Sequence, residues 1–126
     1  MGNYRQLSVW KGAHELALTV YGLTRNFPDR ERYGLAAQLR RSAVSAVSNI
    51  AEGSGRLGDR EHVRFLRIAR GSVCELECQL LLSKDLGYVH SEAWKGSDKA
   101  CQELSSMLNA LIRSLEKHIA GMTPDS

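Results

Sequence analysis

Apolar residues recur along this chain at alternating steps of three and four, the period of one helix face, in four separate runs. Val9, Ala13, Leu16, Val20, Leu23 and Phe27 form the first, with Ser8 placed to cap it and Pro28 to stop it. Asp29, Arg30 and Glu31 make a charged turn into the second, where Leu35 or Ala36, Leu39, Ala43, Ala46 or Val47, and Ile50 keep the same steps. The glycines of Glu52-Gly53-Ser54-Gly55 should end that helix, and the Gly-Ser-Gly segment reads as a loop. His62, Leu66, Ala69, Val73, Leu76 and Leu80 define a third run, capped by Asp59 and stopped by Gly87. In the fourth, Trp94, Cys101, Leu104, Leu108, Leu111, Leu115 and Ile119 continue to Gly121, and the tail from Met122, with Pro124, reads as frayed.

The spacing therefore predicts helices over about residues 8–26, 31–53, 59–86 and 92–120, joined by short loops. Such a series favours an all-α, antiparallel up-down-up-down four-helix bundle, with residues 1–126 as a single domain. No strand-like alternation competes with it. Helix two is lined with small residues, Ala36, Ala37, Ser42, Ala43, Ser45, Ala46, Ser48 and Ala51, so its neighbours can approach closely. Gly71 inside helix three costs about 1 kcal/mol relative to alanine, which points to a close backbone contact there. Ile68, Leu82 and Leu86 lie well away from the main stripe of helix three and give it a second apolar face for contacts between copies.

Composition adds limits rather than a function. Hydrophobic residues make up 43% and charged residues 25% of the 126, with two prolines, as in an ordinary globular domain. No run approaches the roughly 18 apolar residues of a membrane span, and the N-terminus lacks a secretory pattern. Cys74, Cys78 and Cys101 are odd in number and fall in helical runs, which suits reduced thiols in a cytoplasm. A net charge of +3 permits an anionic partner without requiring one.

Candidate chemistry is sparse. Gln38, Arg41, Ser42, Ser45, Asn49 and Glu52 form a polar stripe on helix two. Buried, it would be a hydrogen-bonded network with Arg41, Ser45, Asn49 and Glu52 as its main members, setting register or partner choice; exposed, it is a solvated face. Arg56, Arg60, Arg64 and Arg67 recur at steps of four, four and three, with Arg70 near their edge. These arginines can contact successive phosphates of RNA or DNA, or pair with Glu31, Glu61, Glu75 or Glu77. No aromatics are regularly interleaved with them, so base stacking has no support there. The four-residue spacing of Cys74 and Cys78 permits a zinc reading with Cys101 and a histidine, but apolar packing is the stronger reading. His14, His62, His90 and His118 are isolated, and no Glu-x-x-His pair, nucleophile elbow or phosphate-binding loop is present. The expectation is a chain without catalytic residues, metal or cofactor.

Two stretches carry a resemblance: Gln38-Leu39-Arg40-Arg41-Ser42-Ala43-Val44-Ser45 leading to Asn49-Ile50-Ala51-Glu52-Gly53, and Phe65-Leu66-Arg67-Ile68-Ala69-Arg70-Gly71-Ser72 followed by Glu75-Leu76. The chain resembles the small bacterial four-helix-bundle proteins named for the 23S ribosomal RNA intervening sequence. The likeness extends from Val9-Trp10 through Phe27-Pro28 and Tyr33-Gly34-Leu35 to Leu86-Gly87-Tyr88, with Gly12 departing from the bulkier residue of the first motif. It implies a homopentameric ring with no established catalytic activity. Accessory proteins of diversity-generating retroelements resemble the same family more loosely, and that likeness implies a basic surface engaging nucleic acid and a protein partner. Two functions follow as expectations: an oligomeric nucleic-acid-binding accessory, or a protein-interaction or structural module with no nucleic-acid role.

Overall fold

A computed structural model of the chain describes residues 3–122, so the expected frayed tail beyond Met122 lies outside it. Four helices carry the chain: α1 (Ser8–Thr24), α2 (Leu35–Ser54), α3 (Asp59–Asp85) and α4 (Ser91–Met122). Single 3-10 turns at Tyr4–Gln6 and Asp29–Glu31 precede α1 and α2, and the described residues contain no strand. Each helix packs on its two neighbours in the ring α1, α2, α3, α4, while neither diagonal pair brings its backbones together. Partners run in opposite order on adjacent helices: Thr24 meets Arg40, Gly53 meets Phe65, and Arg67 meets Glu116 whereas Lys84 meets Trp94. The result is the expected all-α, antiparallel bundle.

The apolar stripes converge on one core. Val20, Leu39, Ile50, Leu66, Val73, Leu76, Leu80, Leu104 and Leu108 are fully buried, each worth about 1.5–3 kcal/mol relative to exposure. Two stripe positions shift by one residue. Val63 is buried where the spacing predicts His62, which is half-buried against Gly53, and Ile112 is buried where it predicts Leu111, which is half-buried.

Helix ends depart from the sequence expectation in physical ways. Leu7 and Gly58 hold the N-cap positions of α1 and α3, so Ser8 and Asp59 are first-turn residues and make no capping bond. Asp59 is bonded instead to the His118 ring of α4. α2 starts later than expected because Pro28 leads into a 3-10 turn, after which the Glu31 carboxylate accepts from the Leu35 N–H at 3.1 Å. The Gly87 stop is as expected: with φ at +83°, its N–H donates to the Lys84 carbonyl, and the Tyr88 N–H donates to that of Ser83. Gly121 ends nothing, since α4 runs through it.

The Gly-Ser-Gly segment is also not wholly a loop, as Gly53 and Ser54 form the last turn of α2. A Cβ on Gly53 would sit 2.8 Å from the Cβ of Phe65 and 3.2 Å from the His62 ring. The close contact expected at Gly71 is therefore found at Gly53. Gly71 is exposed, and a methyl group placed there would meet nothing within 4 Å. Along the same seam the Ser45 and Ser72 hydroxyls lie 2.8 Å apart, so the small residues of α2 do admit α3 closely.

His62, wedged against Gly53, is half-buried, and its Nε2 has no hydrogen-bond partner among the described residues. Burial lowers its pKa below the usual imidazole value, opposed by the nearby Asp59 carboxylate. The unfolded chain then binds the proton more tightly, so the stability from neutral His62 is present above about pH 6.5 and declines as pH falls toward the folded value. Urea unfolding should accordingly show wild type losing more stability between neutral and mildly acidic pH than His62→Gln. The same assay should separate the two glycines: Gly53→Ala loses about 1–2 kcal/mol through overpacking, whereas Gly71→Ala gains about 0.5–1 kcal/mol from helix propensity.

Candidate nucleic-acid interface

α3 carries Arg60, Arg64 and Arg67 on its solvent face, with Arg70 half-buried toward α4 and Arg56 in the preceding loop. Local partners neutralise much of this stripe. The Arg56 guanidinium lies 3.2 Å from the Glu52 carboxylate, Arg64 Nε donates to Glu61 at 2.7 Å, and Arg67 pairs with Glu116 of α4. Arg70 donates to the Asn109 side-chain oxygen at 2.9 Å. Arg56 and Arg64 also flank the Phe65 ring, at 5.2 and 4.4 Å from its centroid. Arg60 alone of the five makes no ion pair or side-chain hydrogen bond among the described residues. Exposed pairs of this kind contribute only about 0.2–1 kcal/mol each, but every one cancels charge that a phosphate would otherwise meet.

The polar stripe of α2 divides. Asn49 Nδ2 donates to the Ser45 carbonyl at 2.8 Å and to its hydroxyl at 3.2 Å, and Ser45 meets Ser72 of α3, making a small half-buried network at the seam. Nothing in the pattern of α2 points to Ser72, which comes from α3. Glu52 turns to Arg56, and Arg41 is exposed on the α1 side of α2.

The thiols also separate. Cys74 and Cys78 are exposed on α3, against the expectation of apolar packing, because their positions fall opposite the Ala69–Val73–Leu76 stripe. Only Cys101 packs in the core. Burial, reinforced by Glu77 and Asp98, pushes its pKa up to about 12, so it stays a neutral thiol. Among the described residues no three His, Cys, Asp or Glu side chains cluster as a metal site.

A groove runs between α1 and α2. Its apolar part, about 390 Å³, is lined by Ala17, Leu18, Tyr21, Val44 and Val47, with His14 and Ser48 at the rim. Tyr21 and Val44 also border a second hollow of about 620 Å³ that holds Arg32, Tyr33, Arg40 and Arg41. A third, of about 230 Å³, lies between the end of α1 and the start of α2 and is lined by Arg25, Arg32 and Arg40 with Asp29. Arg40 is fixed there: its Nε donates to Thr24 Oγ1 at 2.8 Å and its guanidinium lies 4.6 Å from the Tyr21 centroid. Helical periodicity misses this cluster because it straddles a turn, although residues 25–41 hold five arginines against two carboxylates.

The comparisons with known proteins agree with this architecture. None of the curated proteins matches the chain. Among solved structures, a protein of unknown function from the S23 ribosomal protein family of Bacteroides thetaiotaomicron superposes with a TM-score of 0.77 at 22% identity, covering 82% of this chain and 97% of that one. At that identity the likeness concerns the fold. The model of the 23S rRNA-intervening sequence protein family matches residues 5–110, taking in all of α1, α2 and α3, both segments that carried the resemblance and much of α4. With most of its length matched in this way, the chain belongs to the 23S rRNA-intervening sequence protein family.

Proposed function

We propose that this chain is a non-catalytic cytoplasmic bundle that assembles with copies of itself and, so assembled, offers basic surface to nucleic acid. The observation that carries the assembly is the placement of its uncovered aliphatic residues. Leu18, 61% exposed, lines the α1–α2 groove outside the arginine-lined hollow, while Ile68, Leu81, Leu82 and Leu86 are exposed on and just past α3. Aliphatic groups left uncovered both at the α1–α2 groove and on α3 suit head-to-tail contacts, which close into a ring when the rotation permits. A ring of five is what the family resemblance implies. Exposed Cys74 and Cys78 fit a reducing compartment.

The α3 arginines favour a second reading for that face. With Arg56, Arg64 and Arg67 paired to carboxylates, α3 suits contact with a protein as well as with phosphate, as in an interaction module without a nucleic-acid role. Capture of a nuclease-resistant protein partner from the native host, with no nucleic acid bound by the purified protein at low salt, would favour that reading.

Native mass spectrometry tests the assembly. Wild type should give a closed oligomer, five copies if it follows the family resemblance, and Leu18→Asp combined with Leu82→Asp should shift it to smaller species. A wild-type monomer at high concentration would contradict the proposal.

A further inference from the structure

We propose that single-stranded nucleic acid binds where α1 ends and α2 begins, with phosphates on Arg25, Arg32, Arg40 and Arg41 and a base stacked on Tyr33. This rests on the nucleic-acid half of the function proposed above, and it moves the contact away from α3. The hollows of about 620 and 230 Å³ are neighbours that share Arg32 and Arg40 in their walls, and the two together make a trough-like surface lined by Arg25, Arg32, Arg40 and Arg41. Among the described residues none of these four arginines is ion-paired. Of the two nearby carboxylates, Asp29 lines the narrower hollow, and Glu31 is occupied by the Leu35 N–H and the Tyr88 hydroxyl, at 3.1 and 3.0 Å. The trough is thus a net cationic surface, unlike the α3 stripe.

Two features fit a strand whose bases are free. Tyr33 is 88% exposed beside the arginines, presenting an aromatic face to which an unstacked base can add. Arg40 is held by Thr24 and Tyr21, so its ordering cost is met before the ligand arrives. A duplex keeps its bases stacked inside and cannot use Tyr33 in this way.

Fluorescence anisotropy with a labelled oligouridine, and with an RNA duplex of equal length, tests the placement. The exposed pair Arg32→Ala/Arg41→Ala should weaken oligouridine binding about tenfold or more at low salt and reduce the salt slope by about 1.4, since two fewer phosphates are neutralised. Tyr33→Ala should weaken it about fivefold or more while Tyr33→Trp retains it, and neither should matter for the duplex. Arg60→Ala/Arg64→Ala should stay within about twofold of wild type, since neither side chain lines the trough. Wild-type binding left unchanged by Arg32→Ala/Arg41→Ala, or weakened equally by Arg60→Ala/Arg64→Ala, overturns the placement alone. Loss on Arg32→Ala/Arg41→Ala with Tyr33→Ala silent, or equal binding of duplex, overturns the single-strand assignment. Failure of wild type to bind either RNA at low salt overturns the nucleic-acid reading itself.

Discussion

The seam between α2 and α3 is the constraint on which the rest of the structure depends. Gly53 can take no side chain without meeting Phe65, and Ser45 and Ser72 are within hydrogen-bonding distance across the same contact. Such close approach requires a thin helix, and α2 supplies one with Ala36, Ser42, Ala43 and Ala46 all buried. The larger side chains of the core, Leu39 and Ile50 on α2 and Leu66, Val73 and Leu76 on α3, then interdigitate around that line. Once α2 and α3 are fixed, α1 and α4 close the ring, and the outward directions of every other residue follow.

Those outward directions decide which charges remain available. Residues 56–70 and residues 25–41 each contain five arginines and two acidic residues, so composition alone cannot tell them apart. Packing does. Glu52 reaches Arg56 from four residues back along the chain, and α3 runs beside the C-terminal half of α4, bringing Glu116 to Arg67. The turn between α1 and α2 receives no such carboxylates from elsewhere among the described residues, and its own Glu31 is occupied by the start of α2 and by Tyr88. Compensation by distant residues is a tertiary effect, and it changes the electrostatic meaning of two similar sequences.

Much of the fold is legible in the sequence because burial imposes a period on the chain. The stripes through Val9, Leu39, Leu66 and Leu104 locate all four helices, and Gly87 marks a real stop because only a left-handed residue completes that cap. Glycine elsewhere is ambiguous: Gly53, Gly71 and Gly121 all lie inside helices, and only the position of a neighbouring helix distinguishes a required contact from a tolerated gap. Cys74 and Cys78 mislead for a different reason, since the stripe through Ala69, Val73 and Leu76 already puts them on the opposite face and only the usual burial of cysteine argued otherwise. In the polar stripe, Ser45 and Asn49 join a seam network, but its third member is contributed by α3, beyond the reach of a pattern on one helix.

Carboxylates thus offset Arg56, Arg64 and Arg67 beside and on α3, while the arginines around the α1–α2 turn stay open to a strand. Ultraviolet cross-linking of a 4-thiouridine-substituted single strand, followed by peptide mapping, addresses this claim without any substitution in the protein. Cross-links should concentrate on peptides containing Tyr21 and Tyr33. A map dominated by Phe65 and the other residues of α3 would contradict the account.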